Sequence, residues 1–581
     1  MSRNGIGNFN ASDVIRRNQE RMLAVAKLRN DNAKQQLETL RGLQSGLAGG
    51  KPITSLIIPA MKEAALTLTI AEYNQIVAEF TSGGSGGEPV QAPASAPAPT
   101  VYVPQGTPAR VFSLPYTVQG IVLDAAGDRI ILTYDTTTNT YYIYKVLFSN
   151  ASGAAVYQID GNDVAAGGGN KNLNLFLTKN SNNNYYIGGY QLQSGNPYPT
   201  IIRYDSLFQR KTAKVLRDAN NTVMKSGGIN CLVATGENIF CSGWYSTNNP
   251  SSSFLIDSAL MPAPVGGAGR ITPFFGKFDD ALTPQWFTTI APETANALGS
   301  GSTIDSQGNV YASVAIGTGP DNLTTKWVIR SSSNPETTLF TPAQHVIVKF
   351  TSLGAVDISA QFFPYGYNSF GYQYGSQLFV DASDNIFIAY SIEFVVNTSN
   401  IQINFGNGVI ADFNRNSKSR NNFVILKLNS SLVAQAIYQL EMPSDSYKMW
   451  PKSVTFDASN NLLVNAGYKT NGQITTTIRD NHGNDITLSR TISGSDINEM
   501  DLLISNDLTT VKWYYNISGI NTDSAYVDGY YRNNGSLIVD NINNRLIKID
   551  ERANTGTVTV AAGLTLPAST GIQKSFMVEY T

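Results

Sequence analysis

A five-residue turn of similar composition recurs seven times along the chain, and this recurrence limits the fold more than any other feature. Most copies begin with Asp or Asn, and most carry Gly, Asn or Asp at the fourth place. A leading Asx side chain accepts hydrogen bonds from backbone N–H groups two residues on, and Gly, Asn and Asp tolerate a positive φ, so each copy predicts a tight hairpin. The copies begin at Asp124, Asn180, Ala234, Asp305, Asp381, Asp457 and Asp540.

Apolar, β-rich runs surround each turn, and residues 377–440 show the pattern most fully. Four runs lie there, at residues 378–380, 386–390, 423–428 and 433–438. Four such runs predict an antiparallel four-stranded meander. One meander cannot bury both faces alone, and seven around an axis form a β-propeller. The third run usually ends in a basic residue (Lys145, Arg203, Lys277, Lys349 and Lys427), with Ser505 and Glu579 as departures.

The repeated unit resembles a known family. Its order is Asp-x-x-Gly-Asn, a hydrophobic run, a variable insert, a hydrophobic run with Lys, and a strand with an aromatic residue. This order is similar to the bacterial beta-propeller repeat (SBBP), most closely at residues 305–362 and 381–440, where the insert segment 403–408 also fits. The resemblance covers roughly residues 108–581 and implies the propeller fold. It implies no particular chemistry, because propellers host many functions.

The strand count predicts how the ring closes. The last unit supplies three runs, at residues 536–539, 545–549 and 576–580, and then the chain ends. A run at residues 109–114 precedes the first unit and is placed like the fourth run of the others. We therefore expect N-to-C strand closure, in which Val111 and Phe112 pair with the strand of Phe576 and Val578 and cover a sheet edge.

The N-terminal part differs in composition from the rest. Residues 1–81 are predicted to form an α-helical docking arm, and residues 82–107, rich in Gly/Ser and then Pro/Ala, a tether. Apolar positions recur at helical spacing, but a heptad frame breaks between Arg29 and Gln36, which argues against a sustained coiled coil. We expect the arm to gain its order from a partner. The candidate partner-binding residues are Arg16, Arg17, Met22, Leu28, Leu37, Leu40, Tyr73 and Phe80.

Motifs for catalysis or metal binding are not found in the sequence. The chain has only two histidines, His345 before a predicted buried strand and His482 in a polar loop, which argues against a His-based triad and a multi-His metal site. The sequence therefore predicts no catalytic residues, no metal ligands and no cofactor. Cys231 and Cys241 flank one turn about symmetrically, and we expect two free thiols there, with a cross-strand disulfide as the alternative.

Charge and hydropathy exclude further classes. Charged residues make up 14% of the chain and the net charge is −2, so there is no electrostatic footprint for direct nucleic-acid binding. No apolar run reaches the length of a membrane span, and the first residues lack a signal-peptide core. Long inserts between the second and third runs of later units predict one elaborated rim, which is where we expect any binding of glycans or a receptor.

These features together favour a non-enzymatic structural or assembly protein. The tether composition is similar to that of virion structural proteins of large algal DNA viruses, which implies a minor capsid protein located in the virion. The arm would then attach to neighbouring virion subunits. Two alternatives stay open: a glycan- or receptor-binding propeller of a phage tail or cell surface, and a glycosidase-like propeller enzyme. A carboxylate pair facing the axial channel would favour the enzyme.

Overall fold

The computed structural model describes most of the chain from residue 108 to residue 580. The segments left out of the description are 1–107, 115, 136–137, 139, 148–152, 160–174, 194–195, 219–223, 248–253, 257–258, 262–269, 293–296, 317–325, 333–335, 341–342, 365–376, 393–400, 414–421, 443–447, 470–474, 490–496, 518–525, 528–529, 532–535, 541–544, 552–557, 561–563, 567–574 and 581. The predicted helical arm and the tether fall in the first of these segments, and so do all eight candidate partner-binding residues. Those predictions therefore concern residues outside the described part.

The described residues form forty β-strands. The first twenty are β1 (Pro108–Leu114), β2 (Thr117–Leu123), β3 (Arg129–Asp135), β4 (Thr140–Val146), β5 (Gly153–Ile159), β6 (Phe176–Lys179), β7 (Tyr185–Gln193), β8 (Asn196–Tyr204), β9 (Arg210–Asp218), β10 (Met224–Thr235), β11 (Asn238–Thr247), β12 (Phe254–Ile256), β13 (Ala259–Met261), β14 (Ile271–Phe278), β15 (Pro284–Pro292), β16 (Ala297–Ile304), β17 (Val310–Ile316), β18 (Lys326–Ser331), β19 (Thr337–Phe340) and β20 (Ala343–Phe350). The others are β21 (Val356–Pro364), β22 (Gln377–Val380), β23 (Ile386–Ile392), β24 (Ile401–Asn404), β25 (Ile410–Phe413), β26 (Asn422–Leu428), β27 (Ala434–Leu440), β28 (Lys448–Phe456), β29 (Leu462–Lys469), β30 (Thr475–Arg479), β31 (Asp485–Ser489), β32 (Ile497–Ile504), β33 (Val511–Ile517), β34 (Tyr526–Val527), β35 (Tyr530–Tyr531), β36 (Ser536–Asp540), β37 (Arg545–Glu551), β38 (Val558–Val560), β39 (Leu564–Leu566) and β40 (Ser575–Tyr580).

Seven antiparallel sheets make the blades of a propeller, as the recurrent turn predicts. From the inner to the outer strand, blade 1 is β2-β3-β4-β5, blade 2 is β6-β7-β8-β9, blade 3 is β10-β11-β14-β15, and blade 4 is β16-β17-β20-β21. Blade 5 is β22-β23-β26-β27, blade 6 is β28-β29-β32-β33, and blade 7 is β36-β37-β40-β1. The all-β, seven-bladed architecture is therefore confirmed.

Blade 7 joins the two ends of the ring. Its outer strand β1 runs antiparallel to β40, with Val111 opposite Val578 and Phe112 opposite Met577. This is the pairing that the strand count predicts. It gives β40 neighbours on both sides, since β37 pairs with its other edge. Phe576 and Val578 are fully buried in the contact between blades 6 and 7.

The hairpin turns owe their form to the leading side chain. In blade 4, Asp305 Oδ1 accepts the backbone N–H of Gln307 at 3.0 Å and of Asn309 at 2.8 Å, and Gly308 has a φ of 77°. The same two-bond pattern occurs at the turns beginning with Asp124, Asn180, Asp381 and Asp457. The turn after Ala234 differs, because Thr235 pairs directly with Asn238 and the positive φ falls on Gly236 at the third place.

One hydrophobic cluster fills each contact between neighbouring blades, so the core is a ring of seven clusters. Side chains of one face of each sheet pack on the facing sheet, as the alternation of strand residues requires. Among the described residues, the two clusters on either side of blade 7 hold seven buried residues each. The cluster between blades 5 and 6 holds 20. The closing blade thus has the smallest apolar contacts in the described part of the ring.

The inserts between the second and third strands of a blade pack either on the preceding blade or against the outer strand of the blade to which they belong. The insert of blade 3 forms β12 and β13, and β12 pairs with β9 of blade 2. The insert of blade 4 forms β18 and β19, and β18 pairs with β15 of blade 3. The hairpin β30-β31 of blade 6 bridges to β27 of blade 5 at Leu440 and Asp480. These described inserts cover outer sheet edges, which the predicted elaborated rim did not anticipate.

Candidate functional site in the axial cavity

A cavity of about 440 Å³ lies on the axis of the ring. Inner strands of blades 1 to 6 supply its wall, because the first strand of every blade faces the axis of a propeller. The polar residues among those that line it are Gln119, Asn230, Ser302, Ser453, Thr303 and Thr455. The volume falls within the range of small-molecule pockets.

Polar side chains on the inner strands also hold neighbouring blades together. Gln119 Oε1 accepts the backbone N–H of Leu175 at 3.2 Å, which joins blade 1 to the start of blade 2. Ser453 Oγ accepts the N–H of Leu537 at 2.8 Å, which joins blade 6 to blade 7. Some polar side chains of the wall therefore form hydrogen bonds between blades, which stabilise the ring.

Lys452 is the one charged residue among the described residues that line the cavity. Its ammonium group forms a short ion pair with Glu499, and both side chains are almost completely buried. Glu499 also accepts a bond from Lys548 at 2.7 Å. The described wall carries no carboxylate, since Glu499 lies behind Lys452.

Behind this wall lies a buried ionic cluster that spans blades 6 and 7. Lys548 of blade 7 reaches Asp501 of blade 6 at 3.1 Å, and Asn465 Nδ2 donates to the same carboxylate at 2.8 Å. Tyr580 donates its hydroxyl to Asp501 Oδ2 at 3.0 Å. Burial, and then the charge of Asp501, raise the pKa of Tyr580 above its usual value. Two lysines, Lys452 and Lys548, balance the carboxylates of Glu499 and Asp501.

A second buried ion pair crosses from blade 7 to blade 1. Arg129 Nη2 contacts Glu579 Oε1, and both side chains are 1% exposed. Leu503 and Glu579 occupy the strand position that holds Lys427 in blade 5, because each pairs with the same place on its second strand. The departure in blade 6 is therefore Leu503 and not Ser505.

Four of the five basic residues at this position act between blades, whereas Lys145 pairs with Asp124 and Asp128 in a turn of its own blade. Lys277, Lys349 and Lys427 each donate to a backbone carbonyl in the last turn of the next blade, at 3.1 to 3.3 Å. Each also lies over an aromatic ring of its own blade, at 5.4 to 5.6 Å from the ring centre. Arg203 contacts Asp280 of the next blade at 2.7 Å. These side chains hold the ring together and are not gathered into one site.

The cysteines and histidines lie apart from one another. Cys231 and Cys241 are free thiols, as expected, and register explains why: Cys231 lies opposite Ser242, whereas Cys241 lies opposite Leu232, so the two side chains point to different faces. Cys231 lines the cavity and is half-buried, and burial raises the pKa of its thiol. His345 is fully buried, lies 2.6 Å from Ser313 Oγ, and burial lowers its pKa to about 4.

The described residues hold no group of three or more His, Cys, Asp or Glu that could bind a metal ion. Within the same part of the chain, no helix has the length and hydropathy needed for a membrane span. Sequence reasoning missed the ionic cluster, whose members come from five strands: β28, β29, β32, β37 and β40. The only signal was the pair of acidic residues Glu499 and Asp501 inside an otherwise apolar run.

Comparison with known proteins identifies no family for this chain. No protein-family model and no curated protein matches the chain. A europium-containing methanol dehydrogenase is 10% identical with a TM-score of 0.34, over 82% of this chain and 93% of that one. Polysaccharide lyase Uly1 is 9% identical with a TM-score of 0.29, over 82% and 99%. NanB sialidase from Streptococcus pneumoniae is 9% identical with a TM-score of 0.21, over 80% and 85%.

At these scores and identities the likenesses carry no argument about fold or activity, and the fold rests on the strand pairing described above. The resemblance to a repeat family and to virion proteins stays a prediction, whereas the seven blades are observed.

Proposed function

We propose that the protein is a non-enzymatic structural component of a larger assembly. In this proposal the ring is a rigid interaction module, and residues 1–81 attach it to neighbouring subunits. The observation that supports it best is the use made of buried ionisable groups. Buried acidic and basic side chains form ion pairs between neighbouring blades and hold the ring closed. They are Glu499, Asp501, Lys548, Arg129 and Glu579.

Rigidity is what such a module needs, and the described contacts supply it. Each blade is packed on two neighbours by apolar clusters, and several outer strands are covered by inserts from the next blade. A closed ring resists the local opening that an open array of sheets allows. The finer proposal is a minor capsid protein of a large DNA virus, which rests on the composition of the tether at residues 82–107.

Particle composition tests this function. We expect mass spectrometry of purified particles to find the full chain at a fixed ratio to the major shell protein. A chain that lacks residues 1–81 should fold as a ring but fail to enter particles. As a control, the substitution Leu207→Ser at an exposed turn should leave incorporation unchanged. Normal incorporation of the truncated chain would contradict attachment through the arm, and absence from particles would contradict the virion assignment.

A further inference from the structure

Three half-buried tyrosines, Tyr116, Tyr142 and Tyr144, form a cluster beside the contact between blades 7 and 1. Tyr116 lies in the connection from β1 to β2, and the other two lie on β4. The rings of Tyr116 and Tyr142 are stacked, with centres 5.1 Å apart and planes 13° from parallel. Tyr144 meets the Tyr142 ring edge-on at 6.3 Å and packs on the apolar contact between the two blades. We call these three residues the tyrosine cluster.

The tyrosine cluster lies on a part of the rim that has no described insert. Strands β3 and β4 are joined by a short turn, on either side of which Asp135 pairs with Thr140. In blades 3, 4 and 6 the second and third strands are joined by inserts, which pair with the outer strand of the preceding blade. Because strands alternate in direction, the connection that holds Tyr116 emerges on this same rim. The three rings therefore keep part of their surface in contact with solvent.

The backbone of Tyr116 is strained. Its φ is 61°, in the left-handed region that is unfavourable for a bulky side chain. The other described residues with positive φ are Gly, Asn or Asp, or else have buried side chains, namely Phe208, Leu282, Leu432 and Leu508. Burial of an apolar side chain offsets the strain at those four positions, whereas Tyr116 is only half-buried. Strain that burial does not offset points to a role for this ring outside the fold.

The surroundings of the tyrosine cluster are electrostatically negative. Burial, then Tyr142 and then the charge of Asp135 raise the pKa of Tyr116. Burial, then Tyr116, Tyr142 and Asp135 raise the pKa of Tyr144. The carboxylate of Asp135 is held in place by the hydroxyl of Thr138, which donates to it at 2.6 Å. Aromatic faces also carry negative partial charge, so a cation complements both the rings and the carboxylate.

We propose that the tyrosine cluster binds the guanidinium group of an arginine on a neighbouring polypeptide of the assembly. A guanidinium group is planar, stacks on aromatic rings and keeps its charge, so it can contact the rings while it is attracted by Asp135. The inference rests on the proposed role of the ring as an interaction module. Its test uses the full chain in solution, so its failure is distinguishable from failure of attachment through residues 1–81 or of the virion assignment.

Nitration of tyrosine by tetranitromethane, followed by peptide mass spectrometry, measures access to each ring. The full chain is nitrated alone or with N-acetyl-argininamide, with its neutral isostere N-acetyl-citrullinamide, or with N-acetyl-lysinamide. The arginine probe should slow nitration of Tyr116 and Tyr142, and Tyr198, half-buried in blade 2, serves as the internal reference. Mass action predicts that a probe at ten times its Kd slows nitration roughly tenfold.

One variant separates binding from folding. Tyr116→Gly removes the ring and places at φ 61° a residue that adopts this angle without strain. It should weaken protection of Tyr142 by roughly 2- to 5-fold, the effect of one exposed cation–π contact, and leave the melting temperature unchanged or higher. Leu282→Gly is the matched control, since Leu282 has a φ of 62° but a fully buried side chain, and this change should lower the melting temperature.

A second pair of variants tests the charge. Asp135→Asn should weaken protection by the arginine probe, and Asp485→Asn, at an exposed carboxylate of blade 6, should leave it unchanged. If Asp135→Asn does not fold, Tyr142→Leu takes its place, with protection then read at Tyr116.

Strongest protection by the arginine probe, weakened in Tyr116→Gly, is the expected result. Equal protection by the citrulline probe would overturn the proposal, because binding would not depend on charge. Stronger protection by the lysine probe would overturn the assignment to guanidinium, and no protection by any probe would overturn the site itself. A lower melting temperature of Tyr116→Gly would contradict the argument from strain.

Discussion

The ion pair between Arg129 and Glu579 gives the sharpest test of how the ring closes. Five other blades carry Lys or Arg at the strand position of Glu579, so blade 7 presents the opposite charge. Arg129 stands where the other blades carry apolar or aromatic residues, as at Ile386 and Leu462. In this one contact blade 7 thus carries an acid where five other blades carry a base, and blade 1 carries a base where the other blades have no charge. Glu579→Gln keeps the size of the side chain and removes only its charge.

The cost of that substitution follows from burial. Both side chains are 1% exposed, so Glu579→Gln would remove one charge of an ion pair that is shielded from water. Removing one partner of a buried ion pair costs about 3–5 kcal/mol, whereas replacing both by apolar groups of similar volume is often close to neutral. We therefore expect Glu579→Gln and Arg129→Met each to lower the free energy of unfolding by about 3–5 kcal/mol. The double variant Arg129→Met with Glu579→Met should lie closer to the wild type than either single change.

Two measurements decide the outcome. Urea unfolding followed by tryptophan fluorescence gives the global free energies for a double-mutant cycle. Hydrogen exchange of β1 and β40 reports local opening of blade 7, and about 3–5 kcal/mol corresponds to a rate increase of roughly 150- to 5,000-fold. Lys427→Met is the matched control, since this lysine is only partly buried and bonds to a carbonyl. Additive single changes, or unchanged exchange in β1, would refute the reasoning.

Three further predictions follow from the same contacts. Deletion of residues 1–100 should leave the ring stable, whereas deletion of 1–116 removes β1 and should lower the melting temperature; equal melting temperatures would contradict closure by β1. Because burial holds the pKa of His345 at about 4, the unfolded chain binds a proton below pH 6.5 that the folded chain does not. Stability should therefore fall by about 3 kcal/mol between pH 7 and pH 4, and His345→Gln should flatten that slope in urea titrations. Gly467→Ala places a Cβ 2.6 Å from the buried ring of Trp450 and should destabilise by about 1–3 kcal/mol, and calorimetry showing no change would contradict this.

Local chemistry explains which parts of the fold were predictable from sequence. The turn at Asp305 was recognisable in the sequence. Its leading Asp accepts backbone hydrogen bonds, and the Gly at the fourth place adopts the positive φ that the turn requires. The closing strand was predictable by counting, since three runs after residue 535 require a fourth. Neither inference needs any knowledge of contacts between distant residues.

The inserts and the ionic cluster were not predictable for the opposite reason. Strand β12 (Phe254–Ile256) has only three residues, and their sequence does not indicate that they pair with β9. Glu499 is visible as an acid in an apolar run, but its partners Lys452 and Lys548 are each 47 to 49 residues away on other strands. A single sequence does not show which residues on different strands come into contact. The axial cavity was missed likewise, because its wall is assembled from six separate strands.

The distribution of charge around blade 7 bears on why the ring closes in one register. Apolar packing is tolerant of small displacements, and the two clusters beside blade 7 are the smallest in the described ring. A buried ion pair does not tolerate a change of register, because a one-residue slip of β40 turns every one of its side chains to the other face of the sheet. Such a slip would remove Glu579 from Arg129 and leave a charge buried without its partner. Buried pairs add little net stability, yet they penalise the wrong register by several kcal/mol. In the contact between blades 7 and 1, where the ring closes, the buried charges therefore discriminate against a shifted register.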